Sequence, residues 1–561
     1  MRPPVFTWIR GYDRAWLRGD VIAGMTVWAV LVPEALAYAS IAGVSPVVGL
    51  YAAPGALILY AALGSSRHLV TGPMAATAAL SAAAVADLAT AGSDDFLQLT
   101  ITLALVTGIL ATLAGICRLG FLAGFISEPV LKGFIIGLAL TIIIGQVPKL
   151  LGVEKEEGDF FEQLWGVLGN LDETSGLTLL VGGLSFVLVV ALKELAPVVP
   201  GSLVAVLLGI LAVSVFDLDD HGVTIVGQIE SGLPSFGLPD TGLSDYLDIA
   251  PAAVGIMLVG FAEGLGAAKT YAAKNHYEVD PNRELLGFGA ANLASGLSSG
   301  MVVNGSLSKT AVNAGAGARS QVSGLIVAAL TVVTLLFLTG LFEELPEATL
   351  AAVVIAALVE LVDVGSLVRL YRVSTRGVGA VDAVAARPDF IAAVAAMLGV
   401  LVFDTLPGLF IGIAVSLVLL LYRVSRPHVA VLGHVPGTRS QYADVERHPE
   451  NELVLGIVVL RIEGGLFFGN ADAVRQRIRA SLDPDTRAVV LDAETIPFVD
   501  VTALSMVGEL AVELEHRGVR VVLAGDIGQV RDVVRTAEDR PSVEVFRTVR
   551  EAVEALGGPD A

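Results

Sequence analysis

The run DVIAGMTVWAVLVPEALAYASIAGVSPVVGLYAAPGALILYAAL (20–63) decides the fold class. Within it, segments 21–41 and 47–64 are each apolar over the ~20 residues that a helix needs to cross a bilayer core. The same pattern recurs downstream. Fourteen spans are expected, at 21–41, 47–64, 73–90, 97–116, 125–147, 176–192, 201–217, 250–268, 284–301, 306–318, 321–341, 347–362, 388–403 and 406–423. Hydrophobic residues make up 54% of the 561-residue chain and charged residues only 16%. A globular chain carries about 25% charged residues, so there is too little polar material to coat a soluble surface. The sequence is that of an α-helical polytopic membrane protein.

Charge and cysteine content exclude several classes. A net charge of −21 argues against nucleic acid, whose phosphates call for clustered Lys and Arg. One cysteine, Cys117, rules out an internal disulfide and a Cys-rich metal site, and the seven His form no HExxH pattern, so no metal or other cofactor is expected. No hydrolytic or redox constellation is present, which argues against an enzyme. The basic, aromatic segment 1–20 lacks a signal-cleavage pattern. With it placed in the cytoplasm, Arg10, Arg14, Arg18, Arg67, Arg118, Lys193, Lys269, Lys274, Arg319, Arg369 and Arg423 fall inside, and Lys149 and Lys155 fall outside among many acids. That asymmetry obeys the positive-inside rule. An even number of spans keeps both termini cytoplasmic, in a multi-pass protein of the plasma membrane. The transmembrane domain is expected over 21–426, followed by a linker at 427–452. From 453 to 561, short Val- and Ile-rich runs alternate with amphipathic helices, the pattern of a small cytoplasmic α/β domain.

Two segments interrupt the apolar pattern at positions that look equivalent in the two halves. HLVTGPM (68–74) puts Gly72-Pro73 at the start of the short third span, and VVNGSLSKTAVN (302–313) puts Gly305-Ser306 at the start of the short tenth. Pro at a first helical position and Ser at a cap are helix-start chemistry. Matched short spans point to an inverted-repeat transporter, and two helix N-termini meeting at mid-membrane would bind an anion. Either segment alone reads as small residues at a close helix contact. Lys309, one turn into the tenth span, would supply positive field for an anion or pair with a carboxylate, since a membrane lysine must be paired or wet. Glu263, among Gly260, Gly264 and Gly266, is an intramembrane acid whose burial favours the protonated form, as suits a proton carrier. Ala267, one turn on, offers no oxygen to a sodium ion, so a proton is preferred to sodium as the coupling ion. Glu34, beside Pro33, is either a second titratable group or a wetted helix break.

DVIAGMTVWAVLVPEALAYASIAGVSPVVGLYA (20–52), GSSRHLVTGPMAATAAL (64–80), FISEPVLKGFIIGLAL (125–140) and YEVDPNRELLGFGAANLASGLSSGMVVNGSLSKTAVNAGAGARSQVSG (277–324) together resemble the SulP anion transporters, the sulfate permease family. LDAETIPFVDVTALSMVGEL (491–510) resembles the STAS domain that ends those chains. The resemblance implies a seven-plus-seven inverted repeat divided into core and gate domains, working as a homodimer by an elevator movement. It implies substrates such as sulfate, bicarbonate or dicarboxylates, and cytoplasmic regulators acting at the STAS domain. It places the anion between Pro73, Met74 and Ala75 of the third span and Ser306, Leu307 and Ser308 of the tenth, with Tyr38 lining the site. This sequence departs from the family pattern in carrying Lys309 where Arg is frequent, Glu34 where Gln is frequent, Val302 for Pro and Asn304 for Thr. Thr502 stands where related stand-alone domains are phosphorylated, although an N-cap role also explains it.

The expected function is proton-coupled secondary transport of a small anion across a lipid bilayer. The competing class is a passive anion channel, an uncoupled exchanger or a STAS-regulated signalling protein, which would have little use for a titratable core acid such as Glu263. A nucleobase permease is disfavoured by the STAS-like tail and by Lys309.

Overall fold

The computed structural model describes residues 5–86, 88–125, 127–156, 158–196, 199–359, 361–372, 387–403, 405–525, 528–536 and 543–557. Contacts divide the chain into two units, one ending at Ser416 and one beginning at Leu417.

The first unit is helical: α1 (Leu17–Ile41), α2 (Pro46–Leu63), α3 (Ala75–Ala86), α4 (Asp94–Ile116), α5 (Glu128–Leu151), α6 (Phe160–Gly169), α7 (Gly176–Leu195), α8 (Gly201–Phe216), α9 (Leu243–Lys274), α10 (Pro281–Leu297), α11 (Leu307–Gly315), α12 (Val322–Phe337), α13 (Glu347–Val359), α14 (Val364–Arg372), α15 (Pro388–Phe403) and α16 (Thr405–Val424), the last crossing the division. Each apolar span read from the sequence falls on one of these helices, while α6 and α14 were not anticipated. Among the described residues, eight helical stretches are long and apolar enough to cross a membrane, and α3, α8, α12 and α15 are shorter apolar helices. Helices suit that environment because their backbone groups are satisfied internally.

The helical unit also contains two short strands, β1 (Val70–Gly72) and β2 (Asn304–Ser306), which form an antiparallel pair. Neighbouring elements clamp the segments that lead into them. Asn292 on α10 holds Val303 as a neighbouring strand would: its Nδ2 donates to Val303 O and its Oδ1 accepts from Val303 N, both at 2.9 Å. Ser295 Oγ donates to Met301 O at 2.5 Å. On the other side, the buried Glu284 carboxylate accepts from Tyr60 Oη at 2.6 Å, Ser65 N at 2.7 Å and Ser66 N at 3.1 Å. Gln321 Nε2 donates to Ser66 O and Leu69 O, both at 2.9 Å, and Asn313 Nδ2 donates to His68 O at 2.8 Å. A three-residue pair is too short to persist alone; these side chains fix it.

The second unit is an α/β sheet. Its elements are β3 (His428–His434), β4 (Tyr442–Asp444), β5 (Ile457–Glu463), α17 (Ala471–Ala480), β6 (Ala488–Asp492), α18 (Val501–Glu515), β7 (Arg520–Ala524), α19 (Gly528–Thr536), β8 (Glu544–Phe546) and α20 (Val549–Ala555). The order is β4-β3-β5-β6-β7-β8, with β5 to β8 parallel and β3 antiparallel to both its neighbours. Alternation of side chains sorts the sheet into two cores. Leu460, Ile462, Val489 and Leu491 pack with α17 and α18, whereas Val459, Val490 and Val522 pack with Ala552 and Val553 of α20. Residues 427–452, read from the sequence as a linker, hold β3 and β4. HVAVLGH is too short and too polar at its ends to announce itself; it is a strand because it covers the edge of β5. The sequence pattern of residues 527–537 is that of an amphipathic helix, of which Gly528–Thr536 lies within the described residues.

Candidate functional site

The register of the small sheet pairs Val70 with Ser306, Thr71 with Gly305 and Gly72 with Asn304. Each strand then leads into a short helix, so the two interrupted segments are joined through their backbones where α3 and α11 begin. Ser306 is the N-cap of α11 and accepts from Lys309 N at 3.2 Å. Thr310 Oγ1 donates to Ser306 O at 2.5 Å and accepts from Val70 N at 3.1 Å, stitching α11 to β1. The N-terminal peptide N–H groups of a helix carry partial positive charge, and two such ends lie beside one another here.

Pro73 does not occupy the first helical position expected of it. β1 holds the chain extended through Gly72, and α3 starts only at Ala75. The Pro73 carbonyl accepts instead from Lys309 Nζ at 3.1 Å. The same ammonium stands 2.7 Å from Glu34 Oε2 as an ion pair, without the alignment of a hydrogen bond, and 4.9 Å from the centre of the Tyr38 ring. Lys309 is 1% exposed, and Glu34 and Tyr38 are buried. The structure thus gathers Glu34 and Tyr38 from α1, Pro73 from before α3 and Lys309 from α11 around one cation. Leu307 and Ser308, in the first turn of α11, are exposed, Met74 is half-buried, and Ala75 is buried. Ser308 Oγ lies 3.1 Å from Ser306 Oγ.

Glu263 occupies a different position. It lies on α9 beside Gly264, and a Cβ added to Gly305 would come within 3.1 Å of the Gly264 Cα, so α9 abuts β2 through bare backbone. Its Oε2 is buried with no hydrogen-bond partner among the described residues, and the carboxylate paired with Lys309 is Glu34. Close by, Thr77, Thr107, Asn292, Asn304 and Phe288 line a cavity of about 10 Å3, room for a single water molecule. Thr107 Oγ1 and Asn304 Nδ2 also lack partners among the described residues. Among those residues, no group of three or more His, Cys, Asp or Glu is placed to hold a metal ion.

The sequence model described as "Sulfate permease family" matches residues 17–383. A probable sulfate transporter of Mycobacterium tuberculosis is 37% identical over 553 residues, spanning 98% of this chain and 96% of that protein. The chain belongs to the sulfate permease family. High affinity sulfate transporter 2 of Stylosanthes hamata is 31% identical, over 99% of this chain and 86% of its own length. A STAS domain model matches residues 448–552, so this sulfate permease family member is a helical membrane protein with a C-terminal STAS domain. The murine solute carrier 26 family member A9 anion transporter, inward-facing, shares the fold with a TM-score of 0.87 at 23% identity, covering 98% of this chain and 93% of that one. The transmembrane domain of the cyanobacterium bicarbonate transporter BicA matches with a TM-score of 0.60 at 24% identity, covering 70% of this chain and 98% of that one.

In the STAS domain, Asp500 rather than Thr502 caps α18, its Oδ1 accepting from Ala503 N at 2.8 Å and its Oδ2 from Phe468 N at 2.9 Å. Thr502 follows the cap and is exposed in the first helical turn. Sequence reasoning passed over two buried acids of the permease unit. Glu284 holds the loop before β1, and Asp20 accepts from Arg319 N at 2.7 Å and from Ser320 Oγ at 2.7 Å. Their partners lie more than 200 residues away in sequence, so nothing local to either acid announces the role.

Proposed function

We propose that the chain is a secondary active transporter of small anions, of the sulfate, bicarbonate or dicarboxylate class, coupled to protons. The observation that carries this reading is the backbone pairing of the segments that open α3 and α11, with Lys309 held between them. The anion sits between Pro73, Met74 and Ala75 on one side and Ser306, Leu307, Ser308 and Lys309 on the other, with Tyr38 lining the site. Two equivalent strands paired antiparallel are what a local two-fold axis produces, which supports a seven-plus-seven inverted repeat of fourteen spans. Family membership supports an elevator movement of core against gate and a homodimer in the plasma membrane, both termini cytoplasmic. Glu263 and Glu34 are the proton carriers. Glu263 is supported by its buried, unpartnered oxygen, and Glu34 by its contact with the cation of the site. Residues 21–426 perform transport and the STAS domain answers to cytoplasmic regulators, Thr502 being an accessible position for phosphate.

The test is uptake of labelled sulfate, bicarbonate and oxalate into proteoliposomes, with and without an inward proton gradient. Gradient-stimulated accumulation of at least one of them is expected. Uptake that only equilibrates, whatever the gradient, would remove the coupling; no uptake of any would remove the transport reading.

A further inference from the structure

The last apolar helix, α16, ends on a side-chain clamp. The carbonyl of Val424, its final residue, accepts from Asn470 Nδ2 at 3.3 Å. The same Nδ2 donates to Gly465 O at 2.8 Å, and Asn470 Oδ1 accepts from Phe467 N at 3.0 Å. Asn470 is 1% exposed, so the loop between β5 and α17 is fastened to the point where α16 ends. Over Pro407–Val424 that helix is long and apolar enough to cross a membrane, and Val418, Leu420 and Leu421 are exposed on it as lipid-facing side chains are. Tyr422, Arg423 and Arg426 close the span, the Arg426 guanidinium lying 4.6 Å from the centre of the Tyr422 ring. Tyrosine and arginine at a span's end are residues of the headgroup level.

The clamped loop carries apolar surface that the STAS domain does not bury. Phe468, Phe498 and Val501 are 74%, 49% and 72% exposed, and none belongs to either core of the sheet. The half-buried Phe467 ties the aromatic residues together, its ring centre 5.6 Å from that of Phe468 and 6.2 Å from that of Phe498. Backbone bonds fix the arrangement. Leu466 N donates to Phe498 O at 3.0 Å, Asp500 N to Leu466 O at 3.1 Å and Phe468 N to Asp500 Oδ2 at 2.9 Å. Val501, next to Asp500, opens α18. A fixed cluster of large apolar side chains outside a core marks an interaction surface.

We propose that Phe468, Phe498 and Val501 seat the STAS domain on the bilayer beside α16, their side chains entering the layer between headgroups and acyl chains. Proximity selects this occupant. Phe468 is two residues from Asn470, roughly 7 Å of extended chain, and Asn470 holds the last residue of the span. The headgroup region on each side of a bilayer is about 5–7 Å deep, so the patch lies level with lipid that meets the exposed face of α16. Glu463 and Asp472, both exposed, flank the loop in sequence. The contact is therefore apolar rather than an attraction of opposite charges, and it takes lipid whatever the headgroup. The seat gives the domain a second attachment besides the chain that leaves α16, and it is independent of which anion the helices carry.

The experiment places the photoreactive residue p-benzoylphenylalanine at Phe468 of the full-length protein in phosphatidylcholine nanodiscs, irradiates it, and reads intact mass and peptide maps. A mass increase of one phosphatidylcholine is expected, mapped to the peptide that bears residue 468. The same probe at Val501, in a separate variant, should also capture lipid, so the reading survives if one variant fails to fold. At Val512, 48% exposed but about 16 Å further along α18, the probe should capture none. High salt should leave the lipid adduct unchanged; its loss would make the contact electrostatic and overturn the apolar seat. Crosslinks from residues 468 and 501 to peptides of the same chain or of a second copy, in place of lipid, would overturn the proposal and assign the patch to a protein surface. Equal lipid capture at Val512 would overturn it too, as would the absence of any adduct at both patch positions.

Discussion

Lys309 and Glu34 show how much one buried pair constrains. A lone charge in a low-dielectric interior costs several kcal/mol, and removing one member of a buried pair typically destabilises by about 3–5 kcal/mol because the other is stranded. Lys309→Gln strands Glu34, which is 8% exposed with no cation but Lys309 within ion-pair distance among the described residues. That variant is expected to melt well below wild type in detergent, with its loss largely recovered in Lys309→Gln/Glu34→Gln. Additive losses in the two single and one double variant would mean the pair is not coupled. Glu263 calls for a different measurement because its Oε2 has no partner to lose. Glu263→Gln mimics the protonated acid, so it should still exchange labelled anion across the membrane in counterflow while its gradient-driven accumulation falls below wild type. Accumulation equal to wild type would leave Glu34 as the coupling acid.

Among elements, the β1–β2 pair is held by neighbours rather than by its own length, and the closest of them is α9. A Cβ on Gly264 would lie 2.4 Å from Phe288 Cζ and 3.1 Å from Asn304 Oδ1. Phe288 cannot step aside freely, being stacked on Tyr60 with ring centres 5.7 Å apart. Overpacking of this kind costs about 1–3 kcal/mol. Gly264→Val is expected to leave a monodisperse protein that has lost most sulfate uptake, since α9 must back away from β2; wild-type uptake would show that the close approach is dispensable. The helices around this pair were legible in the sequence because a membrane span announces itself by length and hydropathy alone. So were the two interruptions, through Gly72-Pro73 and Gly305-Ser306. What could not be read was how they meet. The pairing of Val70 with Ser306 joins residues more than 230 positions apart, and strands of three residues leave no period-2 signature. The ion pair was hidden for a related reason: Lys309 visibly needed a partner, but hydropathy gives no rotation for α1, so the sequence points to Glu263 as the acid beside Lys309, whereas the carboxylate in contact is Glu34.

Across the whole molecule, two units with separate cores make a division of labour testable by truncation, and the fold dictates where to cut. A break near residue 440 would leave β3 without either sheet neighbour, since β4 and β5 both lie beyond it. Val429, Ala430 and Leu432, all buried in the intact sheet, would then sit on a free strand edge, a template for pairing between chains. A break after Arg426 removes the sheet entirely and keeps α16, which ends at Val424. Loss of the bond from Asn470 Nδ2 to Val424 O, 3.3 Å long, affects only that helix end. The helices that remain satisfy their own backbones in lipid. The 1–426 protein is therefore expected to run as a single species on size exclusion, whereas 1–440 aggregates. If residues 21–426 form the transport machinery, the shorter protein should carry anions more slowly than the full chain, but with the same order of preference among sulfate, bicarbonate and oxalate. A changed order would place part of the selectivity in the STAS domain, and a monodisperse 1–440 would mean that β3 does not depend on its sheet partners.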